Sequence, residues 1–201
     1  LEGFALTVSE KQEKRRREIA AAVREFFKDT DFEKVSVDDI CNATGIAKGT
    51  FYHYFSGKDS LLDQIMYPID DFFDNLKDDL LKCKCFLDAV RQFSECYSTF
   101  INASGLNMCR TVTLAMLSPN NRNFISKERS VVNTLYGMIE FWQKQGEVTD
   151  EFTAQEICDM FMVVLRGYLL NWYSLKGSYD LSSVLGTHMR IFASGFIRKA
   201  Q

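Results

Sequence analysis

The chain has 201 residues, 46% of them apolar and 13% aromatic, and a net charge of −3 at pH 7. That length suits one large domain or a small and a medium one, and the apolar content excludes a disordered chain. No run of 18 uncharged apolar residues occurs, and Glu2, Glu10 and Lys11 interrupt the N-terminal stretch. Neither a membrane span nor a secretory signal is therefore expected, and the expected location is the cytoplasm.

Six cysteines stand at 41, 83, 85, 96, 109 and 158, inside helical patterns rather than at turns. Cys83 and Cys85 are separated by one residue, short of zinc-ligand spacing, and no second pair follows. Free thiols are expected, and no metal or cofactor.

In chain order, Ser9-Glu10-Lys11-Gln12 fits a capping box that opens a helix to about residue 29. Ile19, Val23, Phe26 and Phe27 mark its apolar face, and the basic run Lys14 to Arg17 lies in its early turns. Ser36 caps a short second helix, with Asp39 at its third position and Gly45 suited to the left-handed turn that ends it. A third helix covers about 47–54, and Ser56 or Gly57 opens a fourth. That fourth pattern reads on through Leu61, Leu62, Ile65, Met66 and Ile69, with Pro68 either kinking it or starting a new segment. Further helices are expected over about 70–82, 84–103, 106–117, 122–145, 153–175 and 181–199, with Asn107 and Pro119 at junctions. The fold class is all-α, about nine helices, with no strand pattern of useful length.

The stretch from Val35 to Leu62 gives helix, glycine-containing turn and short helix. That is helix-turn-helix geometry, whose second helix fits a major groove roughly 12 Å wide. On that second helix Phe51 and Phe55 share the buried face. Lys48, Thr50, Tyr52, His53 and Tyr54 face outward, where exposed aromatics need a partner surface. Their hydroxyl and ring-nitrogen groups meet base edges and phosphates, and Gly49 lets the backbone approach closely. Lys58, opening the next helix, and Ser36 with Val37, opening the bracing helix, sit where free helix amides suit a phosphate. The overall charge does not advertise a nucleic-acid binder. Residues 11–60 carry ten Lys or Arg against nine Asp or Glu, so the cationic signal is local.

These residues resemble the TetR family of bacterial regulators. The match runs through Phe26-Phe27, Val37-Asp38-Asp39-Ile40, Thr44-Gly45-Ile46, Lys48 to Phe55, and Lys58 to Leu62. Ala47 stands where that family often has serine, which leaves a backbone contact but no side-chain contact to phosphate there. The resemblance implies an N-terminal three-helix DNA-binding domain, assigned to residues 9–60, and a larger helical ligand-binding and dimerisation domain, residues 61–201. It implies a homodimeric repressor, bound to a palindromic operator in double-stranded DNA and released by a small, largely apolar effector.

In the C-terminal part, residues 153–175 are apolar nearly all round. Ile157, Phe161, Val164, Leu165, Tyr168 and Trp172 lie on one stripe, and Met160, Val163 and Leu170 elsewhere. A helix apolar on all sides is buried on all sides. With Leu181, Val184, Leu185, Met189, Phe192 and Phe196 on the last helix it makes a candidate dimer seam, with Phe161, Tyr168, Leu185, Met189, Phe192 and Phe196 as interface residues. Candidate effector contacts are Tyr97, Phe100, Met116, Trp142 and Met162, with Met108, Phe124 and Met160 as further large apolar side chains. Arg110 and Arg166, each in a mostly apolar helix, are candidates for an anionic group or an internal ion pair.

The alternatives are a helical enzyme, a protein-binding module that keeps the helix-turn-helix as a scaffold, or a regulator acting as an activator. The chain has two histidines, His53 on the groove-facing helix and His188 alone near the end. No nucleophile–base pair, ligand cluster or phosphate-cradling loop is evident, so an enzyme is not expected.

Overall fold

The computed structural model describes residues 7–117 and 126–198. Its elements are α1 (Val8–Asp29), a 3-10 turn (Phe32–Lys34), α2 (Val37–Thr44), α3 (Lys48–Tyr54), α4 (Lys58–Ile65), α5 (Tyr67–Leu81), α6 (Phe86–Leu117), α7 (Ser130–Lys144), α8 (Ala154–Ser174) and α9 (Leu181–Ser194). The class is all-α, and the one strand-like pairing among the described residues is an isolated antiparallel bridge between Val148 and Ile197. No helix among those residues is long and apolar enough to cross a membrane.

The chain divides into two compact units between Pro68 and Ile69. The expected boundary lay at 60/61. It falls later because Leu61, Leu62 and Ile65 of α4 are buried and α4 packs on α1. In this first unit Ile19, Val23 and Phe27 of α1 meet Phe32, Ile40, Phe51, Phe55 and the α4 leucines in one core. Burying each such side chain stabilises by about 1.5–3 kcal/mol. α1 starts at Val8, one residue ahead of the Ser9 cap expected from the sequence.

α2 is set by its ends. The Ser36 hydroxyl accepts from the Asp39 amide at 3.2 Å, and the Asp39 carboxylate accepts from the Ser36 amide at 2.9 Å, a closed capping box. The Ser36 hydroxyl, which donates to the Asp39 carboxylate at 2.6 Å, and the Ser36 amide together hold the Asp39 carboxyl below its ordinary range. Gly45 ends α2 at φ 68°, a left-handed conformation that favours glycine. The kink or new segment expected around Pro68 takes the form of a break: α4 ends at the Met66 cap and α5 begins at Tyr67. Pro68 is the second residue of α5, in the turn where a backbone donor would lack an intrahelical partner.

The second unit is built on α6, with α9 and α8 packed along it and α7 against α8. α6 runs through both segments expected at 84–103 and 106–117. The junction falls at Gly105, whose φ of 79° and ψ of 166° break the helical path. α8 is closed by a second capping box, Thr153 with Glu156, where the sequence placed it. α7 begins at Ser130, later than the expected 122, and residues 118–125, with Pro119 and Phe124, lie outside the described residues. No side chain at Arg129 caps it. Instead the Asp70 carboxylate of α5 accepts from the Ser130 amide at 3.1 Å and from Arg129 Nε at 3.0 Å. α9 stops at Ser194 instead of 199, because the following chain pairs with residues 147–149: Thr149 donates to the Phe196 carbonyl and Arg198 to that of Glu147, both at 2.8 Å.

The Asp70–Arg129 pair is mostly buried, with side chains 17% and 15% exposed. Burial raises the Asp70 carboxyl above its ordinary range, and the Arg129 charge opposes that shift. A group whose folded pKa is raised favours folding below its unfolded pKa, and that contribution is lost as pH rises through the folded value. Arg129→Ala removes the opposing charge. It should cost on the order of 2 kcal/mol at pH 7, less than the 3–5 kcal/mol of a fully buried pair. The loss should shrink toward pH 4, as measured by urea unfolding at the two pH values.

Candidate nucleic-acid interface

The expected recognition helix is α3. Phe51 and Phe55 are buried beneath it, and their rings meet at 5.4 Å. Outward stand Lys48, Gly49, Tyr52 and His53, with Thr50 and Tyr54 half-buried at the edges. Tyr52 is 51% exposed although it is a large aromatic. Its ring sits edge-on to Phe51 at 5.4 Å, and His53 packs edge-on to Tyr54 at 4.8 Å. Each outward ring therefore stands against a neighbouring ring that limits its motion. A Cβ built at Gly49 would meet nothing within 4 Å, so the protein's own packing does not require glycine there. Ala47 is the N-cap of α3 and makes no side-chain cap bond, which leaves first-turn amides open to an outside acceptor.

The bracing helix α2 presents Ser36 and half-buried Val37 at its start. The Ser36 hydroxyl is already engaged, donating to Asp39 at 2.6 Å. The Lys48 ammonium lies 2.7 Å and 3.0 Å from the two Asp38 carboxylate oxygens. Sequence reasoning missed Asp38. Its signal was an acid one position ahead of the capping Asp39, with no capping duty of its own.

Lys58 is engaged within the protein. Its ammonium donates to the carbonyls of Phe32 and Val35, each at 2.6 Å, and lies 4.6 Å from the centre of the Phe32 ring. Two of the three ammonium donors are therefore spent on an internal brace that the sequence did not reveal. On α1, Arg16 lies over the Phe55 ring at 5.6 Å and steadies the end of α3. Arg15 and Arg17 of the same basic run form exposed pairs with Glu18 and Glu13.

In the second unit the residues expected to form a seam on α8 and α9 divide by burial, with Tyr168 and Phe192 half-buried. Phe161, Leu185, Met189 and Phe196 are buried within the single chain. Phe161 packs on Phe192 and Phe196, with ring centres at 5.0 Å and 5.9 Å. Side chains covered by their own chain have no surface left for a partner. Tyr168 is half-buried, and its hydroxyl lies 2.8 Å from His188 Nδ1. On the opposite side of α8 and α9, Val163 at 68%, Leu170 at 50%, Ile191 at 66% and Met160 are exposed, as are Phe72, Leu114, Leu117, Phe152 and Leu175 elsewhere in the unit.

Of the candidate effector contacts, Tyr97, Trp142 and Met162 are buried, and Phe100, Arg110, Met116 and Arg166 are half-buried. Met108 is buried and Met160 is exposed, so Met160 leaves the candidate lining. Tyr97 and Arg166 are brought together. Burial pushes the Tyr97 phenol up to about 12, and the Arg166 charge works against that shift. The Nε of Arg166 and the Nε1 of Trp142 are buried without a hydrogen-bond partner. Cys109 and Cys158, pushed up to about 12 by burial, are protonated thiols. Cys41, Cys83, Cys85 and Cys96 are free as well, and no group of three or more metal-ligating side chains occurs among the described residues.

A capped bracing helix, a left-handed glycine turn and a short helix with an exposed aromatic and polar face define a helix-turn-helix DNA-binding protein. Residues 19–65 match the model for "Bacterial regulatory proteins, tetR family". The chain is a transcriptional regulator whose N-terminal DNA-binding segment is of the TetR type. It is 23% identical over 191 residues to the HTH-type transcriptional repressor KstR2 of Rhodococcus jostii, covering 90% of each chain. It is 36% identical over 61 residues, 28% of each chain, to the HTH-type transcriptional regulator EthR of Mycolicibacterium smegmatis. Among solved structures, FadR of Bacillus subtilis in complex with stearoyl-CoA superposes with a TM-score of 0.76 at 18% identity. That match covers 89% of this chain and 98% of the other, and at this identity it carries the fold alone.

The Lys58 brace sets an expected outcome. Lys58→Ala removes two charge-assisted bonds, each worth about 1.5–3 kcal/mol. Thermal melting should show a loss on the order of 2 kcal/mol, while the log–log salt slope of DNA binding by the folded fraction stays unchanged. A slope flatter by about one would restore the phosphate contact.

Proposed function

We propose that the protein is a homodimeric repressor that leaves a palindromic operator when a small, largely apolar effector binds its C-terminal unit. The N-terminal unit reads DNA, and the C-terminal unit dimerises and takes the effector. The observation that carries this reading is the outward face of α3, where Tyr52 and His53 stand exposed on a rigid buried base. Thr50, Tyr54, Gly49 and the backbone at Ala47 and Val37 complete the surface turned toward the groove. Repression is supported by the KstR2 relative, a transcriptional repressor.

Dimerisation is supported by Met160, Val163 and Leu170 on α8 and Ile191 on α9, which stay exposed at helical spacing although each is apolar. Two copies related by a two-fold axis would bury that face in a four-helix seam, with recognition helices roughly 34–36 Å apart or somewhat further. Effector binding is supported by Arg166, whose buried unpartnered Nε lies beside Tyr97 in an apolar interior. An unsatisfied buried donor costs about 1–3 kcal/mol, which an acceptor on a ligand would recover. The effector must prefer the dimer form that fits the operator poorly, since equal affinity for both forms shifts nothing.

The test begins by selecting bound duplexes from a random pool, which should enrich a palindrome. Tyr52→Ala and His53→Ala should relax preference at the base each reads, at a cost of about 1–3 kcal/mol, without lowering the melting temperature. Enrichment of no sequence at all would end the reading. Val163→Glu with Ile191→Glu should give a folded monomer in sedimentation and weaken operator binding at least tenfold. Leu185→Glu should instead unfold the chain, because Leu185 is core. A charged pair at 163 and 191 that leaves the dimer intact moves the seam elsewhere.

A further inference from the structure

We propose that Asp38 is an internal competitor for Lys48: its carboxylate holds the ammonium that a DNA phosphate would take, and so sets the affinity for DNA below what the rest of the interface supports. The inference rests on α3 meeting DNA through its outward face.

Lys48 is the first residue of α3 and Asp38 the second of α2, so the pair ties together the two helices of the motif at the end turned toward DNA. Capping does not need Asp38, because Asp39 alone closes the box with Ser36. The ammonium contacts both carboxylate oxygens, at 2.7 Å and 3.0 Å. The hydrogen bond and charge of Asp38 raise the Lys48 amine above its ordinary range. Lys58, the other cation near α3 that the sequence offered to DNA, is turned inward. Lys48 is therefore the cation of α3 itself, and it is already neutralised.

The strength of the pair fits a competitor and not a lock. The two side chains are 57% and 60% exposed, and an ion pair this solvated is weak. A phosphate can displace the carboxylate, but only by breaking that pair, and the released carboxylate then stands beside the phosphate backbone. Both effects lower affinity for every duplex. Charge also decides salt dependence. An interface that neutralises one more phosphate steepens the log–log slope by about 0.9.

The experiment compares wild type, Asp38→Asn, Asp38→Glu, Lys48→Ala and the double variant Asp38→Asn with Lys48→Ala. The probes are a scrambled 30-base-pair duplex and the duplex enriched by wild-type protein from a random pool. Asp38→Asn should bind both probes three- to ten-fold more tightly at about 0.1 M salt, with a slope steeper by about one. Asp38→Glu, which keeps the charge, should behave as wild type. With Lys48 already alanine, Asp38→Asn should gain less than two-fold. A merely structural role for Asp38 would shift melting temperature and leave the slope alone. Unchanged affinity and slope in Asp38→Asn overturn the proposal. A gain that persists without Lys48 also overturns it, because the carboxylate would then act on DNA directly. If wild type binds neither probe, the DNA-reading role of α3 fails as well, an outcome distinct from wild type binding with Asp38→Asn unaltered.

Discussion

Two carbonyl oxygens, those of Phe32 and Val35, converge on the Lys58 ammonium, and the Phe32 ring lies beneath it. These carbonyls belong to the connection between α1 and α2, where α-helical bonds do not reach them and the Phe32 carbonyl accepts only a long 3-10 bond from the Val35 amide, at 3.4 Å. A cation from the start of α4 satisfies both. Val35 directly precedes the Ser36 cap, so fixing its carbonyl fixes where α2 begins. The left-handed turn at Gly45 then sets α3 relative to α2. The placement of Tyr52 and His53 follows from a bond whose acceptors lie some twenty residues before them in sequence. A base-reading surface has to hold its side chains within a fraction of an ångström, and a short helix of seven residues cannot do that by its own hydrogen bonds.

What could be read from the sequence was local. The Ser36–Asp39 and Thr153–Glu156 boxes, the glycine at 45 and the buried pair Phe51 and Phe55 each depend on residues three or four apart, and the structure has them as expected. The Lys58 brace was not legible because its acceptors lie 26 and 23 residues away in sequence, and a lysine at a helix start looks the same whether it faces a phosphate or a carbonyl. The end of α9 was misread for a similar reason. Ile197 continues the helical pattern, but pairing with Val148 captures it. On α8 and α9, periodicity located an apolar stripe correctly and could not say which copy of the chain covers it.

With Lys58 turned inward and Lys48 paired, the DNA-facing surface of the first unit is less cationic than its lysines imply. Sequence-independent attraction to DNA scales with the number of phosphates neutralised. A surface short of unpaired cations leans on base-edge contacts, open amides and close backbone approach. The residue types on α3 suit that balance: glycine, threonine, tyrosine and histidine outnumber its single lysine. The small net charge of residues 11–60 then agrees with a DNA-reading role of this kind.

α8 leaves one further constraint. Its inner side, with Ile157, Phe161, Leu165 and Leu169, is buried in its own chain. Its outer side carries Val163, Gly167 and Leu170, spaced four and three residues apart and so on one face. A glycine inside a helix costs about 1 kcal/mol relative to alanine. Nothing in the chain lies within 4 Å of where a Cβ at Gly167 would stand, so no contact of the chain itself accounts for that cost. In the proposed dimer a second helix approaching from outside would account for it, because a gap between two exposed apolar side chains is where helix axes can draw together. A two-fold axis through this point would set Gly167 against its own copy and give Val163 and Leu170 apolar partners without requiring a different surface on the second chain. The same substitution pattern that looks unfavourable in one chain becomes self-complementary in two.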